Sequence, residues 1–252
     1  MKIIRFFYKK QIRFGILEND IINEIKFENE FSKIIPIGIK IKHDKTIKLL
    51  PPVMPTKIAA VGLNYRDHAA ELKMNQPEKP VLFLKPATSV IGHNDYIVLP
   101  ESSSKVDYEA ELGIIIKKQC YRLKPGQVKK YILGYTCAND VTARDLQKLD
   151  GQWTRAKSFD TFCPVGVCIE TSVDPSNLNI KAVLNGKTVQ SSNTSNMIFD
   201  CFYLVWYISN IMTLNAGDVI ITGTPPGVGQ IKSGDKIEIE IENISKLTNK
   251  VK

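Results

Sequence analysis

The sequence predicts a β-rich protein of the α+β class. Short runs of alternating or continuous apolar residues recur along the 252-residue chain and are separated by turn residues, which is the pattern of β-strands. One segment, residues 200–212, is apolar over most of its length and predicts a buried helix. With 43% hydrophobic residues, the chain has enough apolar side chains for a folded core.

A proline-rich connector divides the chain near residues 50–56. Residues 51–55 read Pro-Pro-Val-Met-Pro, and proline fixes the backbone and cannot donate to a strand ladder. We therefore expect a small N-terminal β module over residues 1–52 and a second domain over residues 56–252. The strands predicted in the first module are residues 3–8, 11–17 and 21–25.

Further strands are predicted along the second domain. Asn185-Gly186, between two apolar runs, predicts a tight hairpin turn. Residues 237–241 alternate apolar and acidic side chains, as a half-exposed strand does. The other predicted strands are residues 81–84, 97–99, 107–116, 131–138 and 218–222.

Two glutamates at alternating positions, Glu109 and Glu111, interrupt an otherwise apolar strand. Residues two apart in a strand share a face, so the two carboxylates should project together, roughly 6–7 Å apart at their Cβ atoms. Paired buried carboxylates repel, and one takes up a proton unless a cation lies between them. Oxygen ligands favour Mg²⁺ or Mn²⁺. The alternative is an edge strand with a charged, solvated outer face.

Asp140 is a third candidate ligand because it follows the next predicted strand. The alternative for Asp140 is the N-cap of the helix predicted to begin near Thr142, since Asp is a favoured N-cap residue. Thr142 has an acid three residues later and could fill that position equally well. In that arrangement Asp140 is free to bind a metal.

These residues lie within segments that resemble the fumarylacetoacetate hydrolase family. The resemblance runs from about residue 57 to the C-terminus, and the segments occur in the order and at the spacing of the family. In chain order they are residues 62–71 (GLNYRDHAAE), 107–112 (DYEAEL), 139–145 (NDVTARD), 157–160 (KSFD) and 222–228 (TGTPPGV). The resemblance implies a mixed β-sandwich roll, usually found as a homodimer.

The resemblance also implies a role for individual positions. Glu109, Glu111 and Asp140 match metal ligands. The remaining matches are His68 and Glu71 as a dyad on a short lid helix, Lys157 facing the metal-bound substrate, Thr224 contacting the substrate carboxylate or oxyanion, and Gln147 as a further polar contact.

His68 and Glu71 are also a plausible pair on physical grounds. Residues three apart on a helix share a face, so the carboxylate can orient the imidazole, and an oriented histidine can take a proton from water. Gly62 and the Asn64-Tyr65 pair predict a mobile loop before the helix, which suits a lid. The alternative is a solvated helix pair without a catalytic role.

The resemblance implies chemistry on a small anionic 2-keto acid through a metal-bound enolate. We expect C–C hydrolysis of an acylpyruvate-type substrate. The alternatives are isomerisation of 2-hydroxyhepta-2,4-diene-1,7-dioate, decarboxylation or tautomerisation of oxaloacetate, and a binding protein that has kept the fold and lost turnover.

Composition argues against several other classes of protein. Five cysteines without a C-x-x-C pair predict reduced, buried thiols and a cytoplasmic protein. The charged N-terminus predicts no secretory signal, and no apolar run is long enough to span a bilayer. The net charge of +8 comes from scattered lysines, which predicts no nucleic-acid or membrane partner but would attract a small anion.

Overall fold

The computed structural model describes residues 1–252 and is dominated by β-strands. Its strands are β1 (Lys2–Tyr8), β2 (Gln11–Glu18), β3 (Ile21–Glu28), β4 (Lys33–Lys42), β5 (Lys48–Leu50), β6 (Lys57–Val61), β7 (Leu82–Pro86), β8 (Val90–Ile91), β9 (Tyr96–Ile97), β10 (Val106–Tyr108), β11 (Ala110–Ile116), β12 (Ile132–Asn139), β13 (Thr142–Ala143), β14 (Cys163–Pro164), β15 (Ile169–Glu170), β16 (Asn179–Leu184), β17 (Lys187–Asn193), β18 (Val219–Ile221), β19 (Gly229–Gln230), β20 (Lys236–Ile241) and β21 (Ser245–Val251).

The helices are few and short. They are α1 (Arg66–Glu71), α2 (Arg144–Asp150), α3 (Thr154–Lys157), α4 (Cys201–Ser209) and the 3-10 segments Ala87–Ser89, Pro125–Tyr131 and Thr194–Asn196. The predicted helix over residues 200–212 is α4, whose N-cap Asp200 accepts a hydrogen bond from the Tyr203 amide at 2.8 Å. It ends earlier than predicted because the Asn210 side chain caps the Trp206 carbonyl at 2.8 Å. None of the helices has the length and apolar composition that a membrane crossing needs.

The strands form several mixed, open sheets. The largest has the order β4-β3-β2-β1-β15-β12-β11-β18-β6-β7, with β5 paired to β1, and a five-stranded sheet has the order β17-β16-β20-β21-β9. Two smaller sheets have the orders β13-β10-β19 and β14-β8. Most neighbouring strands are antiparallel, whereas β18 with β6, β21 with β9 and β14 with β8 are parallel.

The core lies on both faces of the large sheet. Along β11, Leu112 and Ile114 belong to a cluster of 35 buried residues that includes the inner face of the five-stranded sheet. Ile115 belongs to a second cluster of 13 buried residues. Since alternate side chains point to opposite faces, this division explains why β11 is apolar without a break from Leu112 to Ile116: both of its faces are covered.

The N-terminal strands extend the large sheet. Lys2 and Ile3 of β1 pair with Glu170 and Ile169 of β15, so β1 to β5 are continuous with the rest of the strands. The sequence did not predict β4, whose Pro36 and Gly38 resemble turn residues. β4 is the edge strand, where a proline without an amide hydrogen is tolerated.

The cysteines and the hairpin agree with their predictions. All five cysteines are free and buried. Asn185 and Gly186 connect β16 to β17 with φ values of 52° and 83°, the left-handed pair that a tight hairpin turn requires.

Candidate active site

Antiparallel pairing of β11 with β12 brings the candidate metal ligands together. Ala110 pairs with Asn139, and the next residue outward on each strand is an acid, because the Asp140 amide donates to the Glu109 carbonyl at 2.9 Å. Glu109 lies in the single-residue break between β10 and β11. The carboxylates of Glu109, Glu111 and Asp140 are buried and lie within 4.8 Å of one another.

Neither Asp140 nor Thr142 caps the following helix. α2 begins at Arg144 after the short strand β13, and its N-cap residue is Ala143 without a side-chain hydrogen bond. The Thr142 hydroxyl instead donates to the Asp140 carbonyl at 2.8 Å. The Asp140 carboxylate is therefore free to join the cluster.

Basic side chains neutralise part of the cluster. Lys157 Nζ lies 2.9 Å from Glu109 Oε2 and 2.6 Å from Asp140 Oδ2, and Arg144 forms an ion pair with Glu109. Burial alone would raise the pKa of Glu109, but Lys157 and Arg144 outweigh it and lower that pKa to about 2. Burial disfavours the charge on Lys157, but Asp140 and Glu109 outweigh it and raise the Lys157 pKa.

Glu111 is the acid of the cluster that has no cationic partner. Burial raises the Glu111 pKa well above its usual value, and the nearby Asp140 and Glu109 carboxylates raise it further. Glu111 forms no ion pair, and one of its oxygens accepts a hydrogen bond from the Gly223 amide at 2.7 Å. Buried, oxygen-only donors with an unpaired carboxylate suit a hard divalent cation, so the cluster could hold a metal ion.

His68 and Glu71 form the expected pair on α1. His68 Nδ1 lies 2.8 Å from Glu71 Oε2, and the Gly227 amide donates to Glu71 Oε1 at 3.1 Å. The His68 side chain is 12% exposed and that of Glu71 is 44% exposed. Because Glu71 engages Nδ1, the other ring nitrogen is left to exchange a proton with a bound molecule.

The loop before α1 is more firmly held than the sequence predicts. Asn64 is fully buried; its side chain donates to the Thr222 carbonyl at 2.7 Å and accepts from the Phe199 amide at 2.8 Å. Asp67 accepts hydrogen bonds from Ser192 at 2.5 Å and Asn196 at 3.3 Å. These hydrogen bonds hold the loop in this conformation, and its mobility stays a prediction.

A cavity of about 350 Å³ opens onto these groups. Its polar lining includes Glu109, His68, Lys157, Thr224 and Gln147, and its apolar wall consists of Val61, Leu63, Leu72, Met74, Phe83 and Trp153. Glu111, Asp140 and Glu71 do not line the cavity themselves, but each contacts or lies close to a residue that does. A larger groove of about 790 Å³ along the β7 edge contains none of the predicted site residues.

Two basic residues of this site, Lys85 and Arg144, were not predicted from the sequence. Lys85 on β7 is buried, and its Nζ lies 2.6 Å from Asp140 Oδ1. Arg144 binds Asp107 at 2.9 Å as well as Glu109, and it donates to Gln147 Oε1 at 2.7 Å. A single lysine inside the apolar run of residues 81–86 was the available signal for Lys85, since a buried lysine needs a partner.

Comparison with known proteins agrees with this geometry. The sequence model of the fumarylacetoacetate hydrolase C-terminal domain matches residues 57–252. The chain belongs to the fumarylacetoacetate hydrolase family. Residues 1–52 match a second model, described as the Rv2993c-like N-terminal domain.

Individual proteins and a solved structure are also similar to this chain over most of its length. An uncharacterized protein of Methanocaldococcus jannaschii is 58% identical over 90% of this chain and 98% of its own length. The mitochondrial oxaloacetate tautomerase of Rattus norvegicus is 42% identical over 81% of this chain and 68% of its own length. The crystal structure of 5-carboxymethyl-2-hydroxymuconate delta-isomerase from Mycobacterium smegmatis is 42% identical, covers 100% of this chain and 99% of that one, and has a TM-score of 0.93. The predicted fold is confirmed.

Proposed function

We propose that this protein is a divalent-metal-dependent enzyme that moves a proton on small 2-keto dicarboxylic acids, interconverting keto and enol forms or shifting a conjugated double bond. The observation that carries the proposal is that one cavity is lined by His68 of the His68–Glu71 pair, by Glu109 of the carboxylate cluster and by Lys157. The tautomerase and isomerase names of family members at 42% identity support proton transfer as the reaction type.

The site suits a doubly charged substrate. Arg144, Lys148 and Lys157 line the cavity with Glu109 as the acidic residue on its wall, and the whole chain carries a net charge of +8. Positive groups in a partly enclosed cavity attract anions and hold them there. The apolar wall of the cavity then contacts the carbon chain between the two carboxylates.

We assign the proton transfer to His68. Its second ring nitrogen takes the proton from the carbon beside the 2-oxo group and returns it to the oxygen or to the far carbon, while Glu71 holds the ring in position. Lys157 and Arg144 place positive charge near the developing enolate, where it lowers the barrier. Glu109, Glu111 and Asp140 would hold Mg²⁺ or Mn²⁺, which would supply Lewis-acid stabilisation of that negative charge.

C–C hydrolysis of an acylpyruvate is the second candidate. The family model that matches most of the chain carries the name of a hydrolase, and the same His68–Glu71 pair could activate a water molecule instead of a carbon acid. Both reactions pass through an enolate, so the fold alone does not separate them.

We further propose that the protein acts as a cytoplasmic homodimer. Leu72 and Met74, which line the cavity, have exposed side chains, and exposed apolar side chains beside a site are a feature of many protein interfaces. Light scattering after size exclusion measures the mass, and a monomer at working concentrations would contradict the dimer.

One assay separates these functions. The protein with Mg²⁺ is incubated separately with oxaloacetate, acetylpyruvate and a 2-hydroxy-diene-dioate, and enol absorbance and pyruvate release are followed independently. Isomerisation changes the absorbance without releasing pyruvate, whereas hydrolysis of acetylpyruvate releases it. If none of the substrates reacts, the protein is a binding protein rather than an enzyme of this kind.

His68 variants test the assignment of the base. We expect His68→Ala to lose about 10²–10⁴-fold in turnover, the usual contribution of a general base. Glu71→Gln retains a side chain that can orient the ring and should lose less. Arg66→Ala is the matched control on the same helix, because Arg66 donates to the Ser195 carbonyl at 3.1 Å and does not line the cavity. Full activity in His68→Ala would contradict the assignment.

A further inference from the structure

A buried glutamine joins the substrate loop to the strand that carries the two glutamates. Gln190 on β17 is 1% exposed. Its Oε1 accepts from the Ala110 amide at 2.9 Å, and its Nε2 donates to the Pro225 carbonyl at 2.7 Å and to Thr224 Oγ1 at 2.9 Å. Ala110 lies between Glu109 and Glu111, so this amide also fixes the backbone between the two carboxylates.

The partners of Gln190 determine which way its amide faces. A backbone N–H can only donate and a carbonyl can only accept, so the oxygen must face Ala110 and the nitrogen must face Pro225. The Thr224 hydroxyl lies on the nitrogen side and therefore accepts a hydrogen bond.

The single proton of the Thr224 hydroxyl is already used. Thr224 Oγ1 donates to the Ala110 carbonyl at 2.9 Å, and a hydroxyl has one proton and two lone pairs. One lone pair is occupied by Gln190 Nε2. What remains available to a molecule in the cavity is the second lone pair, which can only accept.

We propose that Gln190 is a positioning residue that makes the Thr224 hydroxyl a hydrogen-bond acceptor toward the substrate. This inference rests on the proposed function. An acceptor repels a carboxylate oxygen and attracts an O–H group, so a substrate atom that contacts the Thr224 hydroxyl is an enol or hydroxyl proton. The contact with the substrate carboxylate or oxyanion that the resemblance implies for Thr224 would then not use its hydroxyl proton.

Pyruvate is a suitable binding probe because its oxygens only accept hydrogen bonds. The test is to measure its affinity by calorimetry, with Mg²⁺ present, for the wild type, Thr224→Val and Thr224→Ser. If the hydroxyl only accepts, Thr224→Val binds pyruvate as tightly as the wild type does. A loss of about tenfold or more in Thr224→Val that Thr224→Ser restores would show a donating hydroxyl and overturn the inference.

A second measurement needs no ligand. Chemical unfolding of the metal-free protein gives the stability of Gln190→Met, Thr224→Val and the double variant. Because the two side chains share a hydrogen bond, the loss in the double variant should be smaller than the sum of the single losses. Thr222→Val is the matched control: its hydroxyl donates to the Leu112 carbonyl at 3.0 Å and does not contact Gln190, so its loss should add to that of Gln190→Met.

If Gln190→Met does not fold, Gln190→Glu takes its place. The new carboxylate cannot donate to Thr224, so the hydroxyl turns to donate to it, and pyruvate affinity should then still be unchanged by adding Thr224→Val. Strict additivity of Gln190 and Thr224 would overturn the inference. If the wild type binds no pyruvate, the stability comparison alone decides the role of Gln190, and the substrate assay separately decides the proposed function.

Discussion

Glu109, Glu111 and Asp140 are close in space but differ in their partners. Cations pair with Glu109 and Asp140, whereas Glu111 has only the Gly223 amide. The alternation of Glu109 and Glu111 predicted that they converge and that one of them would take up a proton. Which one does so depends on Lys157 and Arg144, whose positions come from other parts of the chain and could not be predicted from the E-x-E pattern.

Glu111→Gln should therefore leave the metal-free protein at least as stable as the wild type. The folded-state pKa of Glu111 is raised, so its stabilising contribution is present below the unfolded pKa and is lost as pH rises through the folded pKa. In chelator, the wild type should lose stability with rising pH more steeply than Glu111→Gln does, as measured by urea unfolding.

Added metal should stabilise the wild type but not Glu111→Gln, so the order of stability expected without metal should be reversed. Mg²⁺ or Mn²⁺ at about 100 times its dissociation constant should stabilise the wild type by about 2.7 kcal/mol and leave Glu111→Gln unchanged. Glu109→Gln is the control, since it removes a partner of Lys157 and Arg144 and should destabilise the metal-free protein. A metal-free Glu111→Gln that unfolds well before the wild type would indicate a structural role for Glu111.

The sequence did not predict the contacts of three polar residues at the site: Lys85, Arg144 and Gln190. Each is buried or partly buried, and each contacts a residue that the sequence did identify. Their partners lie 55, 35 and 34 positions away along the chain. A single sequence contains no signal for such pairings beyond the polar residue itself in an apolar run.

The hairpin between β16 and β17 was predictable because it depends only on the backbone conformation of the turn residues themselves. Gly186 has φ = 83°, and a Cβ at that position meets nothing within 4 Å, so backbone conformation alone should determine the cost of a side chain. We expect Gly186→Ala to lose about 1 kcal/mol in the free energy of unfolding.

Gly126→Ala is the control for this turn. A Cβ added at position 126 would also meet nothing within 4 Å, and the φ of Gly126 is not in the left-handed region. The substitution should therefore not destabilise the protein. Equal effects of the two substitutions on urea unfolding would contradict the explanation by backbone strain.

Edge position explains why β4 was missed while its neighbours were predicted. Strands β1, β2 and β3 show apolar runs bounded by paired turn residues. β4 is exposed over most of its length, so it lacks the pattern that burial imposes, and Pro36 suggests a turn. Its pairing with β3 is a tertiary contact that local sequence does not specify.

Across the whole molecule, Asp218 joins segments that are distant in sequence. Its buried carboxylate accepts from the Thr56 amide and hydroxyl at 2.9 and 2.7 Å, from Asn215 at 2.8 Å and from Lys57. These contacts fix the start of β6 beside the start of β18, the parallel pair next to β11. Burial would raise the Asp218 pKa, but the hydrogen bonds from Lys57 and Thr56 outweigh it and lower that pKa.

Asp218→Asn should destabilise the protein by about 3 kcal/mol at neutral pH, the usual cost of removing one partner of a buried ion pair. Because the folded-state pKa of Asp218 is lowered, its contribution is present above the unfolded pKa and is lost as pH falls through the folded pKa. The difference between wild type and variant in urea unfolding should therefore shrink in acid. A difference that is independent of pH would contradict this explanation.

The central claim is that the carboxylate cluster holds a divalent cation needed for proton transfer on a 2-keto acid. The most direct measurement is the rate of oxaloacetate keto–enol interconversion by the wild type and Glu111→Gln, after chelation and again after Mg²⁺ or Mn²⁺ is returned. We expect the wild type to lose its activity with the chelator and to regain it with either ion, while Glu111→Gln stays folded and inactive throughout. Full activity of the chelated wild type, or recovery of Glu111→Gln with metal, would contradict the claim.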